Sequence, residues 1–206
     1  MDYLEKTART IDEAIELALA ELNITREQAE IEIVDEGSKG FLGIGKKEAS
    51  VRVKAKKTPQ ELAINFLKSL TISMNVLANV EVSKAAKNLN IEISGENMGI
   101  LIGKRGATLD AIQYLTNLVA NKGEGEYVNI ILDIENYREK RKKSLEILAK
   151  NLARKAKATG KSVSLEPMAS NERRIIHFAL EGDKAVKTFS QGEDPRRHVV
   201  IAPKGQ

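Results

Sequence analysis

A chain of 206 residues that is 42% hydrophobic and 30% charged can bury real cores, and it has the length for one large or a few small domains. The absence of Cys excludes a disulfide framework and any thiolate metal site, and aromatic residues at 4%, with no Trp, exclude stacking as the main mode of ligand recognition. The net charge of +4 hides a split: residues 1–53 carry 7 Lys/Arg against 12 Asp/Glu and the remainder 26 against 17, so the second part is the one expected to face a polyanion.

No apolar run approaches the ~18–20 residues that span a bilayer, and "MDYLEKTART" lacks the order of a signal peptide, so the expected location is the cytoplasm. The first unit, residues 1–53, reads β-α-α-β-β. "DYLEKTA" is its first strand, and "TIDEAIELALAEL" has Thr10 and Glu13 at capping-box spacing with Ile11, Ile15, Ala18, Leu19 and Leu22 on one helical face. "TREQ" repeats the capping spacing at Thr25 and Gln28, and "EIEIVDEG" and "EASVRVKA" are strands, the second alternating Ala49, Val51 and Val53. Between those strands, Gly40 to Lys46 nearly spells a phosphate-binding G-x-x-x-x-G-K loop. Lys47 stands where a Ser or Thr should hold magnesium, and a strand follows instead of a helix, which argues against an NTPase. Phe41 and Leu42 on this loop are either a buried plug or an exposed partner-binding tip.

After the junction "KAKKTP", the second unit, residues 58–134, reads α-β-β-α-α-β. Thr58, Pro59 and Glu61 make a strong helix start ahead of Leu62, Phe66 and Leu70. Val80/Val82 and Ile91/Ile93 alternate on two strands turning near Asn88. A short helix then runs to about Ile102, and "GKRG" joins it to a longer helix reaching about Asn121, followed by the strand "YVNIILDI". Gly103 and Gly106 permit a sharp turn and a close backbone approach, and the helix after Gly106 offers free N–H groups and its positive dipole end to a phosphate. Lys104 and Arg105 add two cations, and Ile100, Ile102 and Ile112 are expected to line an apolar groove for bases. The plainer alternative is a helix-turn-helix with a solvated basic turn.

The third unit, residues 135–206, reads α-β-α-β-β. Its first helix, "YREKRKKSLEILAKNLARKAKATG", is expected to bury Leu145, Leu148 and Leu152 and to stop at Gly160. From Arg138 to Lys157 it carries nine Lys/Arg against two acidic residues, with Arg141 and Lys142 as candidate contacts to a polyanion. "KSVSLEPM" is a strand ending at Pro167, and "SNERRIIHFALEG" a helix with Ser170 and Asn171 as cap candidates. "AVKTFSQ" and "RHVVIAP" are the last strands. Arg173 and His177, four apart, share one helix face. They are a pair for phosphate or base, or else a histidine packed on the sheet with Arg173 as solvated cover. Arg196, Arg197 and His198 make a second basic spot, read by default as an ordinary strand-end cluster.

The G-x-x-G between two helices, after α-β-β and before a strand, resembles a KH domain of the bacterial, type II order, a module that clamps about four nucleotides of single strand. By that resemblance Gly103, Lys104, Arg105 and Gly106 are the backbone-gripping loop. The Arg173/His177 spacing resembles the Arg-x-x-x-His signature of the R-three-H domain, which binds single-stranded nucleic acids or nucleotides, and "KGFLG" resembles the N-terminal signature of Jag (SpoIIIJ-associated) proteins. All three units stand in the order of the Jag family. Membership implies three small α+β domains in tandem, an N-terminal Jag domain (1–53), a KH domain (58–134) and an R-three-H domain (135–206). It implies a bacterial, cytoplasmic, non-catalytic RNA-binding protein that acts on single-stranded RNA, or on single-stranded DNA, as a regulator linked to cell elongation and division. Implied partners are a small single-KH protein or a second copy, and a YidC-type insertase approached peripherally. Some members carry a long charged linker where this chain has only "KAKKTP". Two histidines, no metal-ligand cluster, no cofactor motif and no carboxylate pair at catalytic spacing argue against an enzyme. The competing function is a protein-interaction adaptor that uses the KH fold to dimerise.

Overall fold

The computed structural model of the protein describes residues 3–38, 47–85, 88–123 and 126–204. The Gly40–Lys46 loop, with Phe41 and Leu42, lies outside the described residues. Among the described residues the architecture is α+β, built on three separate three-stranded sheets, and contacts divide the chain into two compact units, Met1–Leu62 and Ala63–Gln206. No helix among the described residues is long and apolar enough to cross a membrane.

In the first unit, strands β1 (Leu4–Ala8), β2 (Ala29–Asp35) and β3 (Ala49–Ala55) pair antiparallel in the order β1-β3-β2, with helix α1 (Ile11–Leu22) across one face. α1 begins where the Thr10 side chain accepts from the Glu13 amide at 3.2 Å, and the Glu13 carboxylate reaches back to accept from the Arg9 amide. Ile15 and Ala18 pack on Val51 and Val53, as the periodicity predicts, and Ala14 joins them in the core. "TREQ" closes a single 3₁₀ turn, Arg26–Gln28, where the β-α-α-β-β reading expects a short second helix. Neighbouring strands also pair their charges: Arg52 with Glu5 at 3.1 Å and Lys54 with Glu30 at 3.0 Å.

The second unit holds two sheets. Helix α2 (Pro59–Ser73), which begins just before the division, opens with a reciprocal Thr58/Glu61 cap. Strands β4 (Ala78–Ala85) and β5 (Asn88–Gly95) pair antiparallel, and β6 (Asn129–Ile134) joins β5 in parallel. Leu67 of α2 and Leu101 and Leu109 of the two helices flanking "GKRG" close over Ile91, Ile93, Ile130, Leu132 and Ile134. These helices are α3 (Gly99–Ile102) and α4 (Ala107–Ala120).

Only Glu135 and Asn136, both left-handed at φ 48° and 56°, separate β6 from helix α5 (Tyr137–Thr159). The Glu135 amide still bonds Ile93 O, and the Asn136 amide bonds Glu92 Oε1, so the connection is tied to the sheet. Beyond α5 come β7 (Val163–Ser164), α6 (Ser170–Leu180), β8 (Val186–Gln191) and β9 (His198–Pro203), with sheet order β7-β9-β8. Three local expectations are corrected. The buried stripe of α5 is Leu145, Ala149, Ala153 and Ala156, with Leu152 half-buried and Leu148 41% exposed; small alanines make the seam on which α6 packs. The "KSVSLEPM" strand shrinks to two residues, because only Val163 and Ser164 keep ladder partners before the chain bends at Pro167. Helix α6 is preceded by Ala169 in extended geometry, so neither Ser170 nor Asn171 is its cap.

Candidate nucleic-acid interface

Between α3 and α4 the chain reverses through Gly103 (φ 69°, ψ −169°), Lys104, Arg105 (φ 58°, ψ 31°) and Gly106 (φ 81°, ψ 6°). The Gly103 conformation is essentially restricted to glycine. A Cβ there would also fall 2.0 Å from Thr108 Oγ1, and one on Gly106 would fall 2.8 Å from Tyr137 Cε1. Both glycines are therefore fixed by packing as well as by backbone geometry. No side chain caps α4, which leaves the positive end of its dipole at this turn. Lys104 is exposed and has no ion-pair partner among the described residues. Arg105 is held: its guanidinium donates to the Glu166 carboxylate and to the Pro167 carbonyl, and the side chain is 26% exposed.

The flanking isoleucines divide. Ile100 is 51% exposed beside the loop, and Ile102 is half-buried against the core. Ile112 is 4% exposed and belongs to the core, which corrects its expected place in a groove; it sits on the inward side of α4, one turn beyond Leu109. On another side of α4, Gln113, Asn117 and Asn121 form a ladder at four-residue spacing against the β6 edge. Gln113 Oε1 accepts from Leu132 N at 3.0 Å, while Asn117 both donates to Ile130 O and accepts from Ile130 N at 2.9 Å. Asn121 does the same at Val128. These amides satisfy an edge that would otherwise invite strand pairing. A cavity of about 410 Å³ opens along the ladder, flanked by Asp110, Tyr114, Leu118 and Tyr127; the two tyrosines are largely exposed. Sequence reasoning missed this cavity, although the Gln/Asn repeat at 113, 117 and 121 was its visible signal.

In the third module the expected residues are mostly engaged. Arg173 is only 7% exposed, so it is not solvated cover: Nη1 donates to Met168 O at 2.7 Å and to Asp194 Oδ1 at 3.2 Å. His177 is half-buried, with Nδ1 2.7 Å from Thr188 Oγ1 and Nε2 3.1 Å from Ser190 Oγ on β8. Burial, and then the Arg173 charge, hold its pKa below the ordinary histidine value. Arg141 Nε donates to Glu172 Oε1 at 2.7 Å, and Glu172 is 6% exposed with its other oxygen unpartnered. Lys142, next along α5, is exposed. One turn earlier the same helix is stitched to α4, where Arg138 reaches Asp110 at 2.8 Å. Among the described residues, no group of three or more His, Asp or Glu is placed to hold a metal ion.

Comparison with known proteins reproduces these modules in order. The family model for the Jag N-terminus matches residues 6–55, that for the KhpA/KhpB KH domain residues 60–132, and that for the R-three-H domain residues 143–203. A Clostridium symbiosum protein named RNA-binding protein KhpB is 52% identical over 206 residues, covering 99% of this chain and 93% of that protein. The chain belongs to the KhpB (Jag) family. A Bacillus subtilis member of the same name is 44% identical over 207 residues, covering 99% of this chain and all (100%) of that protein. A Lactiplantibacillus plantarum member is 37% identical over 155 residues, which span 75% of this chain and 48% of that longer protein.

Proposed function

We propose that this chain binds single-stranded RNA without catalysis, the phosphate backbone seated on the Gly103–Gly106 turn. The observation that carries the reading is a turn closed to any larger side chain, joined to an uncapped helix start and an exposed Lys104 that has no ion-pair partner among the described residues. Backbone amides and a cation supply the sequence-independent grip, Ile100 adds apolar contact, and the cavity along Gln113, Asn117 and Asn121 has amide edges and tyrosine faces suited to bases. Ile102, half-buried against the core, anchors the end of α3 that leads into the turn. The relatives' name, RNA-binding protein KhpB, favours RNA over DNA.

The third module contributes a second stretch of surface through exposed α5 cations such as Lys142. Arg141, Arg173 and His177 serve as braces for that surface. Two linked weak sites gain avidity through effective concentration. By family resemblance the protein works in the cytoplasm as a post-transcriptional regulator of cell elongation and division, with a small single-KH protein or a second copy as partner. The domain limits 1–53, 58–134 and 135–206 are part of this proposal.

The test is a fluorescence-anisotropy titration of single-stranded RNA, single-stranded DNA and duplex at two salt concentrations. Wild type is compared with a Lys104→Asp/Arg105→Asp variant whose fold is checked by circular dichroism. Preference for single-stranded RNA, a steep salt dependence and a loss of about tenfold or more in the variant are expected. Equal binding by both proteins removes the glycine loop from the interface and favours the adaptor reading.

A further inference from the structure

Resting on that reading of the glycine loop, we propose that Glu166 is a built-in competitor for the nucleic-acid backbone. Its carboxylate occupies Arg105 as a phosphate would, and a bound strand displaces it. Arg presents the same planar fork to a carboxylate and to a phosphate, so one guanidinium serves either partner but not both in full. Arg105 is the inner member of the pair at 26% exposure, while Glu166 is 79% exposed. An ion pair with one such open partner is weak enough to exchange.

The competitor is presented by a fixed strap. Leu165 and Met168, on either side of Glu166 and Pro167, are buried, and their amides bond Val199 O at 2.9 Å and Arg197 O at 3.2 Å. Arg173 then grips Met168 O from beneath. On the other side, Tyr137 packs against Gly106, so the loop has support of its own. Exchange at Arg105 is therefore a side-chain event between two packed segments. The arrangement joins the two signature motifs in one chain of contacts, Arg105 to Glu166–Met168 to Arg173. It lowers the affinity of the loop for any single phosphate, and it keeps Arg105 neutralised until a strand arrives.

The experiment is a double-mutant cycle on the full chain: wild type, Glu166→Gln, Arg105→Gln and the double variant, titrated against a short fluorescein-labelled uridine oligonucleotide over a range of salt. Glu166→Ala serves as a second variant, and thermal melts confirm folding. Glu166→Gln is expected to bind about two- to fivefold tighter, with a salt slope steeper by up to about one, and to give no gain in the Arg105→Gln background. Binding equal to or weaker than wild type overturns the competitor, as does the same gain without Arg105. A wild-type affinity that Lys104→Asp leaves unchanged removes the glycine-loop reading itself, and the competitor with it; the two failures are thereby told apart.

Discussion

At the Gly103–Gly106 turn an exposed lysine stands on backbone that no larger residue can replace, whereas four residues from His177 the signature Arg173 is buried and bonded to Met168 O and Asp194. Both motifs are short and basic, one in the turn between two helices and one on a helix, yet the turn leaves Lys104 presented beside a paired Arg105, whereas α6 consumes the charge of Arg173. The difference lies in what surrounds each cation. The turn enters α4 with no side chain capping it, while α6 lies against a strap and a strand that supply partners to both Arg173 and His177. A basic motif is thus a candidate contact or a candidate strut, and burial decides which.

The largest effects expected from this contrast are losses of stability in the third module. Arg141→Ala leaves the Glu172 carboxylate buried without a partner and should cost about 3 kcal/mol; Arg173→Ala, which orphans Met168 O, should cost about 2–3 kcal/mol. Urea unfolding measures both, and unchanged midpoints would return these residues to the set of free contacts. Next comes Gly103→Ala, expected to cost about 2 kcal/mol through its glycine-only geometry and the collision with Thr108. Lys104→Asp is expected to shift stability by less than about 0.5 kcal/mol while weakening single-strand binding about tenfold. It is the reverse of the Arg173 pattern, read by running the melt and the titration on one sample.

The smallest effect concerns His177. Its folded-state pKa lies below the ordinary value because burial disfavours the charged form. Stability linked to it is therefore complete at neutral pH and is lost as pH falls through about 6.5 and below, where the unfolded chain takes up the proton first. His177→Gln should flatten that part of the stability profile. A stability that rises on acidification over the same interval would contradict the burial argument.

Much of the molecule was legible in the sequence because its signals are local. The Thr10/Glu13 and Thr58/Glu61 caps start helices where their spacing predicts, and Val51/Val53 and Ile91/Ile93 face inward as alternation requires. The glycine turn was legible for the same reason. What failed depended on partners distant in the chain. Leu148 looked like core, but the α5 seam uses Ala149 and Ala153, whose small size matters only once α6 is in place. Ile112 fitted a groove by position and lies in the core by helix phase. Nothing local marks Glu166 as the partner of Arg105, sixty-one residues away, or Arg173 as a buried strut. Gln113, Asn117 and Asn121 were visible as a repeat, but their purpose appears only against the β6 edge.

An amide and side-chain chemical-shift titration of the labelled chain with a short single-stranded RNA puts the contrast between presented and consumed charge to the proof in one experiment. The largest shifts are expected on the amides from Gly103 to Thr108 and on Lys104, with the Arg173 guanidinium and the His177 ring perturbed little. Shifts concentrated on Arg173 and His177, with the glycine turn unmoved, would contradict that division of roles.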